Sequence, residues 1–132
     1  MDAQTILSIG GASMDISERE MDEHFSKALS QALGDVKNSG PVLVLPPDIT
    51  RFYSRAGFLT DIANRELGSR LGAVMPALGT HMAMTHEELG RMFPKTPQNK
   101  FRIHDWRNDV VELGRLEADW VEKTTEGKVA YD

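Results

Sequence analysis

The chain has 132 residues, 40% of them hydrophobic, and fifteen Lys and Arg against twenty Asp and Glu give a formal net charge of −5. That length suits one domain over residues 1–132, large enough to close a core without staples. The acidic balance argues against a nucleic-acid partner, and the lack of cysteine removes disulfides, thiolate metal sites and thiol nucleophiles. No apolar run approaches the ~20 residues of a membrane span and Met1–Thr5 lacks the basic start of a signal peptide, so a cytoplasmic protein with no membrane partner is expected.

Taken in order, Thr5–Ile9 is a brief apolar segment closed by Gly10-Gly11, which predicts a first short strand. Ser17 opens a helix: Glu20 stands at the capping-box spacing, Met21, Phe25, Ala28, Leu29, Ala32 and Leu33 share one face, and Gly34 ends it. After a polar turn over Asp35–Gly40, Pro41–Leu45 is a continuous apolar run, the pattern of a strand covered on both faces. Pro46-Pro47 cannot donate to a ladder, so the chain is expected to leave the sheet there and carry Asp48, Ile49, Thr50 and Arg51 out at its end.

Phe58, Leu59, Ile62, Ala63 and Leu67 resume helical spacing up to Gly68, and Ala73–Leu78 reads as the next strand. Strand, helix and strand in this order form a βαβ unit of a parallel sheet, which brings both strand ends to one edge. The Asp48–Arg51 loop and the Gly79–His81 loop are then neighbours. Thr85 with Glu88 repeats the capping box before Leu89, Met92 and Phe93, and Pro94 and Pro97 close that helix. Phe101–His104 alternates like a strand, Asp105–Asp109 reads as a loop, and Val110–Leu113 suits one more short strand. From Ala118 onward, Trp120 and Val121 are the available anchors. The fold class expected is α/β, a partly parallel sheet with a βαβ crossover and helices packed on it.

Chemistry at a strand end is favoured because the sheet fixes the last residue while the loop stays open. Histidine is the side chain best suited to move protons near neutral pH, and there are four. His24 reads as a surface residue of the first helix, and His86 lies in the first turn after Thr85. His104, beside Asp105, suits a structural hydrogen bond and a catalytic role equally. His81 differs in place: Gly79 permits a sharp turn, Thr80 offers a hydroxyl, and a helix N-terminus follows. Asp48 and Arg51 read either as an Asx turn with a surface arginine or as a substrate clamp, Arg51 gripping a carboxylate bidentately and Asp48 orienting a partner donor. His81, His86 and His104 lack the spacing of a zinc helix, so no metal site is expected from this chain alone, and Gly10-Gly11 is too little for a dinucleotide fingerprint. Trp106 and Trp120 read as core or rim residues.

Pro47-Asp48-Ile49-Thr50-Arg51 after an apolar strand, Ala77-Leu78-Gly79-Thr80-His81-Met82-Ala83-Met84-Thr85 with Glu87-Glu88-Leu89, then His104-Asp105-Trp106 and Leu113-Gly114, resemble the lactate racemase family in order and spacing. The similarity runs from Ile6 to the last residue. It implies the N-terminal α/β part of a larger isomerase that racemises or epimerises 2-hydroxy acids, using a nickel pincer nucleotide tethered to a lysine as reversible hydride acceptor. His81 matches the histidine that removes the hydroxyl proton. Asp48 and Arg51 match the active-site D-x-T-R loop; Thr80, whose hydroxyl suits a ligand or the backbone, is expected beside them as a further substrate contact. The family's second histidine, tethering lysine and nickel-ligating histidine lie downstream of this sequence, and Met82 stands where relatives often carry arginine. The resemblance therefore implies that this chain, taken alone, binds no cofactor and is inactive, with a 2-hydroxy acid and the missing C-terminal portion as its partners. It identifies no cofactor-binding residue here and leaves homo-oligomerisation open. The alternative is a non-catalytic module that binds a small carboxylate or other anion in the strand-end crevice.

Overall fold

A computed structural model describes residues 5–34 and 40–131. Helix α1 (Glu18–Gly34) precedes strand β1 (Val42–Val44), and a 3-10 segment (Ile49–Ser54) leads into α2 (Ala56–Leu67). Strand β2 (Leu71–Val74), α3 (His86–Met92) and α4 (Ala118–Thr124) follow. The polar turn expected over Asp35–Gly40 lies, apart from Gly40, outside the described residues.

β1 and β2 are parallel, with Val42 opposite Leu71, Leu43 opposite Ala73 and Val44 opposite Val74, and a bulge after Val42. This is the predicted βαβ unit, shifted by two residues at the start of β2. Contrary to expectation, the two prolines do not release the chain from the sheet. Met75 N–H donates to the Val44 carbonyl at 2.9 Å and Ala77 N–H to the Pro46 carbonyl at 2.8 Å, and Pro47 still pairs with Ala77. Proline removes a donor but keeps its acceptor, and here the neighbouring strand supplies the N–H.

On its other edge β2 pairs with Phe101, whose successor Arg102 donates its N–H to the Val74 carbonyl at 2.9 Å. β2 is thus the central line of the fold. The predicted strand Phe101–His104 is reduced to this single bridge. The strands expected at Thr5–Ile9 and Val110–Leu113 are irregular, because neither segment finds a partner edge among the described residues. Leu113 is 99% exposed.

Phe25, Leu29 and Leu33 of α1 and Ala63 and Leu67 of α2 pack with Leu71 and Val74, covering one face of the sheet. The other face is open: Leu43 is 51% exposed and Leu45 59%, so the β1 run that reads as covered on both sides is covered on one among the described residues. Both capping boxes form. Ser17 N–H donates to Glu20 Oε2 at 2.9 Å and Glu20 N–H to Ser17 Oγ at 3.3 Å, while Thr85 and Glu88 make the same reciprocal pair at the start of α3. An Arg65–Asp22 fork at 2.8 and 2.5 Å ties α2 to α1, and the Arg65 guanidinium holds the Asp22 carboxyl below its ordinary value.

α2 and α3 meet at Gly57, where a Cβ would lie 2.0 Å from the Met92 carbonyl oxygen, so only glycine permits this approach. Buried Asp61 then accepts from Lys95 N–H at 3.2 Å and Thr96 Oγ1 at 2.6 Å, fixing the chain as it leaves α3. No helix among the described residues is long and apolar enough to cross a membrane.

Candidate functional site

The two loops that follow β1 and β2 meet. Asp48 caps the 3-10 segment: its Oδ1 accepts from Thr50 N–H at 3.1 Å and from Thr50 Oγ1 at 2.5 Å, and Arg51 N–H donates to the Asp48 carbonyl at 3.0 Å. The Asx turn read from the sequence is therefore real. It occupies only one carboxylate oxygen. The other, Oδ2, lies 2.6 Å from His81 Nδ1.

His81 reaches it through a tight turn, in which its N–H donates to the Leu78 carbonyl at 2.9 Å. Gly79 stands in that turn at φ +57°, and a Cβ there would meet nothing within 4 Å, so the demand for glycine comes from the backbone angle alone. The carboxylate is buried and the imidazole half-exposed, with side-chain accessibilities of 5% and 53%.

Burial acts to raise the Asp48 pKa, but the hydrogen bonds from Thr50 and His81 outweigh it and hold the carboxyl below its ordinary value. An ionised carboxylate only accepts, so His81 Nδ1 carries the proton of the contact. The lone pair of a neutral ring is then on Nε2. A buried acid that fixes the tautomer of an exposed imidazole is the arrangement of a proton-transfer base and its orienting group.

Arg51 and Thr80 are exposed on the same two loops, and neither side chain has a hydrogen-bond partner among the described residues. Arg51 also interrupts the 3-10 segment, at φ −107° and ψ 28°. The four residues singled out from the sequence thus sit at one sheet edge, two of them bonded to each other and two with free polar ends.

The remaining histidines stand apart from the dyad. His24 is exposed on α1. His86 Nδ1 contacts Gln98 Oε1, and Gln98 Nε2 donates back to the His86 carbonyl at 3.1 Å. His104 Nδ1 is buried without a partner among the described residues, while Asp105 accepts from Asn108 Nδ2 at 3.0 and 2.8 Å instead. Trp106 is half-buried with Arg107 stacked 4.0 Å over its ring, and Trp120 is exposed. Two contributors were not legible in advance. Thr50 locks Asp48 through its hydroxyl, and Arg91 of α3 lies 4.7 Å over the Phe52 ring, pinning the 3-10 segment from the far side. The T of D-x-T-R was the available signal for the first; the second pairs residues too far apart in sequence to be signalled.

The chain is similar to a solved crystal structure of a protein from Thermotoga maritima, with a TM-score of 0.61 and 26% sequence identity over 86% of this chain and 28% of that one. It therefore spans little more than a quarter of that protein's length. No protein-family model and no curated protein matches the chain. Fold and neighbour together define an α/β protein.

Proposed function

We propose that the crevice between the Asp48 and Gly79–His81 loops is the acid-binding, proton-transferring part of a 2-hydroxy-acid racemase or epimerase of the lactate racemase kind. The observation that supports it most is the 2.6 Å contact between Asp48 Oδ2 and His81 Nδ1, which joins the two motifs on which the resemblance rests. His81 Nε2 accepts the proton of the substrate hydroxyl. Asp48, ionised and buried, holds the ring in register and stabilises the imidazolium that results. The free Arg51 guanidinium grips the substrate carboxylate, with the Thr80 hydroxyl as a further donor.

The described residues do not fit the nickel pincer nucleotide that the resemblance implies: no group of three His, Cys, Asp or Glu among them could hold a metal ion. In this reading the tether and nickel ligands are supplied from outside the residues of this chain. This chain's own share is to bind the acid and move its hydroxyl proton. A cysteine-free composition suits the reducing cytoplasm in which we place it.

The test is turnover of lactate by the polypeptide in which this chain is continuous with its downstream segment, supplied with the nucleotide. Loss of a general base lowers turnover by about 10²–10⁴-fold, so His81→Ala is expected to fall in that range. Undiminished racemisation would remove His81 from the reaction. A second reading, a non-catalytic carboxylate-binding module, is favoured by the Arg51 and Thr80 side chains, which have no hydrogen-bond partner among the described residues. It predicts acid binding without any racemisation by the complete polypeptide.

A further inference from the structure

The far end of the 3-10 segment that Asp48 caps walls a cavity of about 350 Å³ on the seam between α2 and α3. Gly57 and Met92, where the two helices touch, are part of its lining, and Phe52, Tyr53 and Phe58 bring aromatic rings to it. The volume falls within the roughly 300–1,000 Å³ of clefts that take small organic ligands. None of Asp48, Arg51, Thr80 or His81 lines it, so it is separate from the acid crevice.

Two guanidiniums are held against those rings. Arg91 Cζ lies 4.7 Å from the centre of the Phe52 ring, and Arg55 Cζ lies 5.6 Å from that of Phe58. A guanidinium stacked on a ring keeps its N–H donors in its own plane, directed past the ring's edge, where they suit the oxygens of an anion. The Arg91 donors meet no acceptor among the described residues, while Arg55 uses one on Glu18. The other carboxylate in the lining, Asp61, is already engaged by Lys95 N–H and Thr96 Oγ1. Exposed Lys95 adds a further cation, shared with a neighbouring cleft that Asp22 and Arg65 line. Like charges repel across a shared cavity, so gathering Arg55, Arg91 and Lys95 there in an acidic chain favours an anion among them.

We propose that this cavity binds a phosphate monoester whose organic group carries a ring, with the phosphate on the Arg91 guanidinium and the ring against Tyr53. A phosphate dianion gains more than a carboxylate from the surrounding cations, and its three oxygens suit the forked donors of arginine. The Tyr53 ring is 89% exposed and stands edge-on to Phe52, with centroids 5.3 Å apart at 86°. Its faces are therefore open to a second ring.

Titration of the chain with phenyl phosphate, inorganic phosphate and benzoate, followed by the guanidinium resonances of Arg91 and Arg51 and by the Tyr53 ring, tests the assignment. Phenyl phosphate is expected to shift Arg91 and Tyr53 saturably and to bind about two- to tenfold tighter than inorganic phosphate. Arg91→Gln should weaken both phosphates about tenfold or more. Tyr53→Ala, at a side chain almost wholly exposed, should bring phenyl phosphate down to the affinity of inorganic phosphate. The absence of a saturable shift at Arg91 and Tyr53 would overturn the site, as would binding of phenyl phosphate that Arg91→Gln leaves unchanged. Benzoate bound as tightly as phenyl phosphate would overturn the choice of a dianion. A response confined to Arg51 would place the anion in the acid crevice and overturn this cavity's role.

Discussion

Asp48 Oδ2 and His81 Nδ1 stand 2.6 Å apart, joining loops separated by 33 residues in sequence. The bond gives His81 one orientation and one tautomer. Nitrogen NMR of the neutral ring is expected to find the proton on Nδ1, and Asp48→Asn, which removes the anionic acceptor, should shift the population toward Nε2–H. A native ring already protonated mainly on Nε2 would contradict the contact.

The Asp48 carboxyl also sets a pH signature. Its folded value lies below the ordinary 3.8, so as pH falls the unfolded chain takes up this proton first. Its contribution to stability is complete above that ordinary value and is lost as pH falls through the lowered one. In urea unfolding the native chain should exceed Asp48→Asn in stability most near neutral pH, with the gap closing below about pH 4. A gap independent of pH over that window would show that the carboxylate is not held as described.

Gly57→Ala tests the seam between α2 and α3. The added Cβ meets the backbone oxygen of Met92 at 2.0 Å, and neither helix can yield without disturbing Phe93 and Asp61. A cost of about 1–3 kcal/mol in denaturant unfolding is expected. Gly34→Ala, where nothing lies within 4 Å of the new atom, should be neutral or stabilising by up to about 1 kcal/mol. Equal effects at the two positions would argue against the close approach.

Thr96→Val removes the hydroxyl that donates to buried Asp61 at 2.6 Å and leaves a carboxylate oxygen unpaired. The expected loss is about 1–3 kcal/mol, with Thr96→Ser restoring most of it. An unchanged midpoint for Thr96→Val would mean that solvent reaches Asp61.

Much of this was legible in the chain because the relevant signals are local. Ser17 with Glu20 and Thr85 with Glu88 lie three residues apart, and the periodic faces of α1 and α2 lie within one helix each, so the helices form where spacing predicts them. The βαβ order needed only two apolar runs about a helix, and it already made neighbours of the Asp48 and His81 loops. The division of labour between the two Asp48 oxygens was not legible, since it depends on Thr50 filling one and leaving the other. Nor was the behaviour of Pro46, whose carbonyl is used by Ala77 from another strand. Thr5–Ile9 and Val110–Leu113 have strand-like composition, but strands exist only with a partner edge, and none is present among the described residues.

The most direct test of the central claim, that His81 Nε2 receives the hydroxyl proton of a bound 2-hydroxy acid, compares lactate with propionate, which has the carboxylate and lacks the hydroxyl. Both are titrated into the chain while the His81 Nε2 and Arg51 guanidinium resonances are followed. Both acids are expected to shift Arg51 saturably, and lactate alone to shift His81 Nε2. Identical responses at Nε2, or none from either acid, would contradict the assignment.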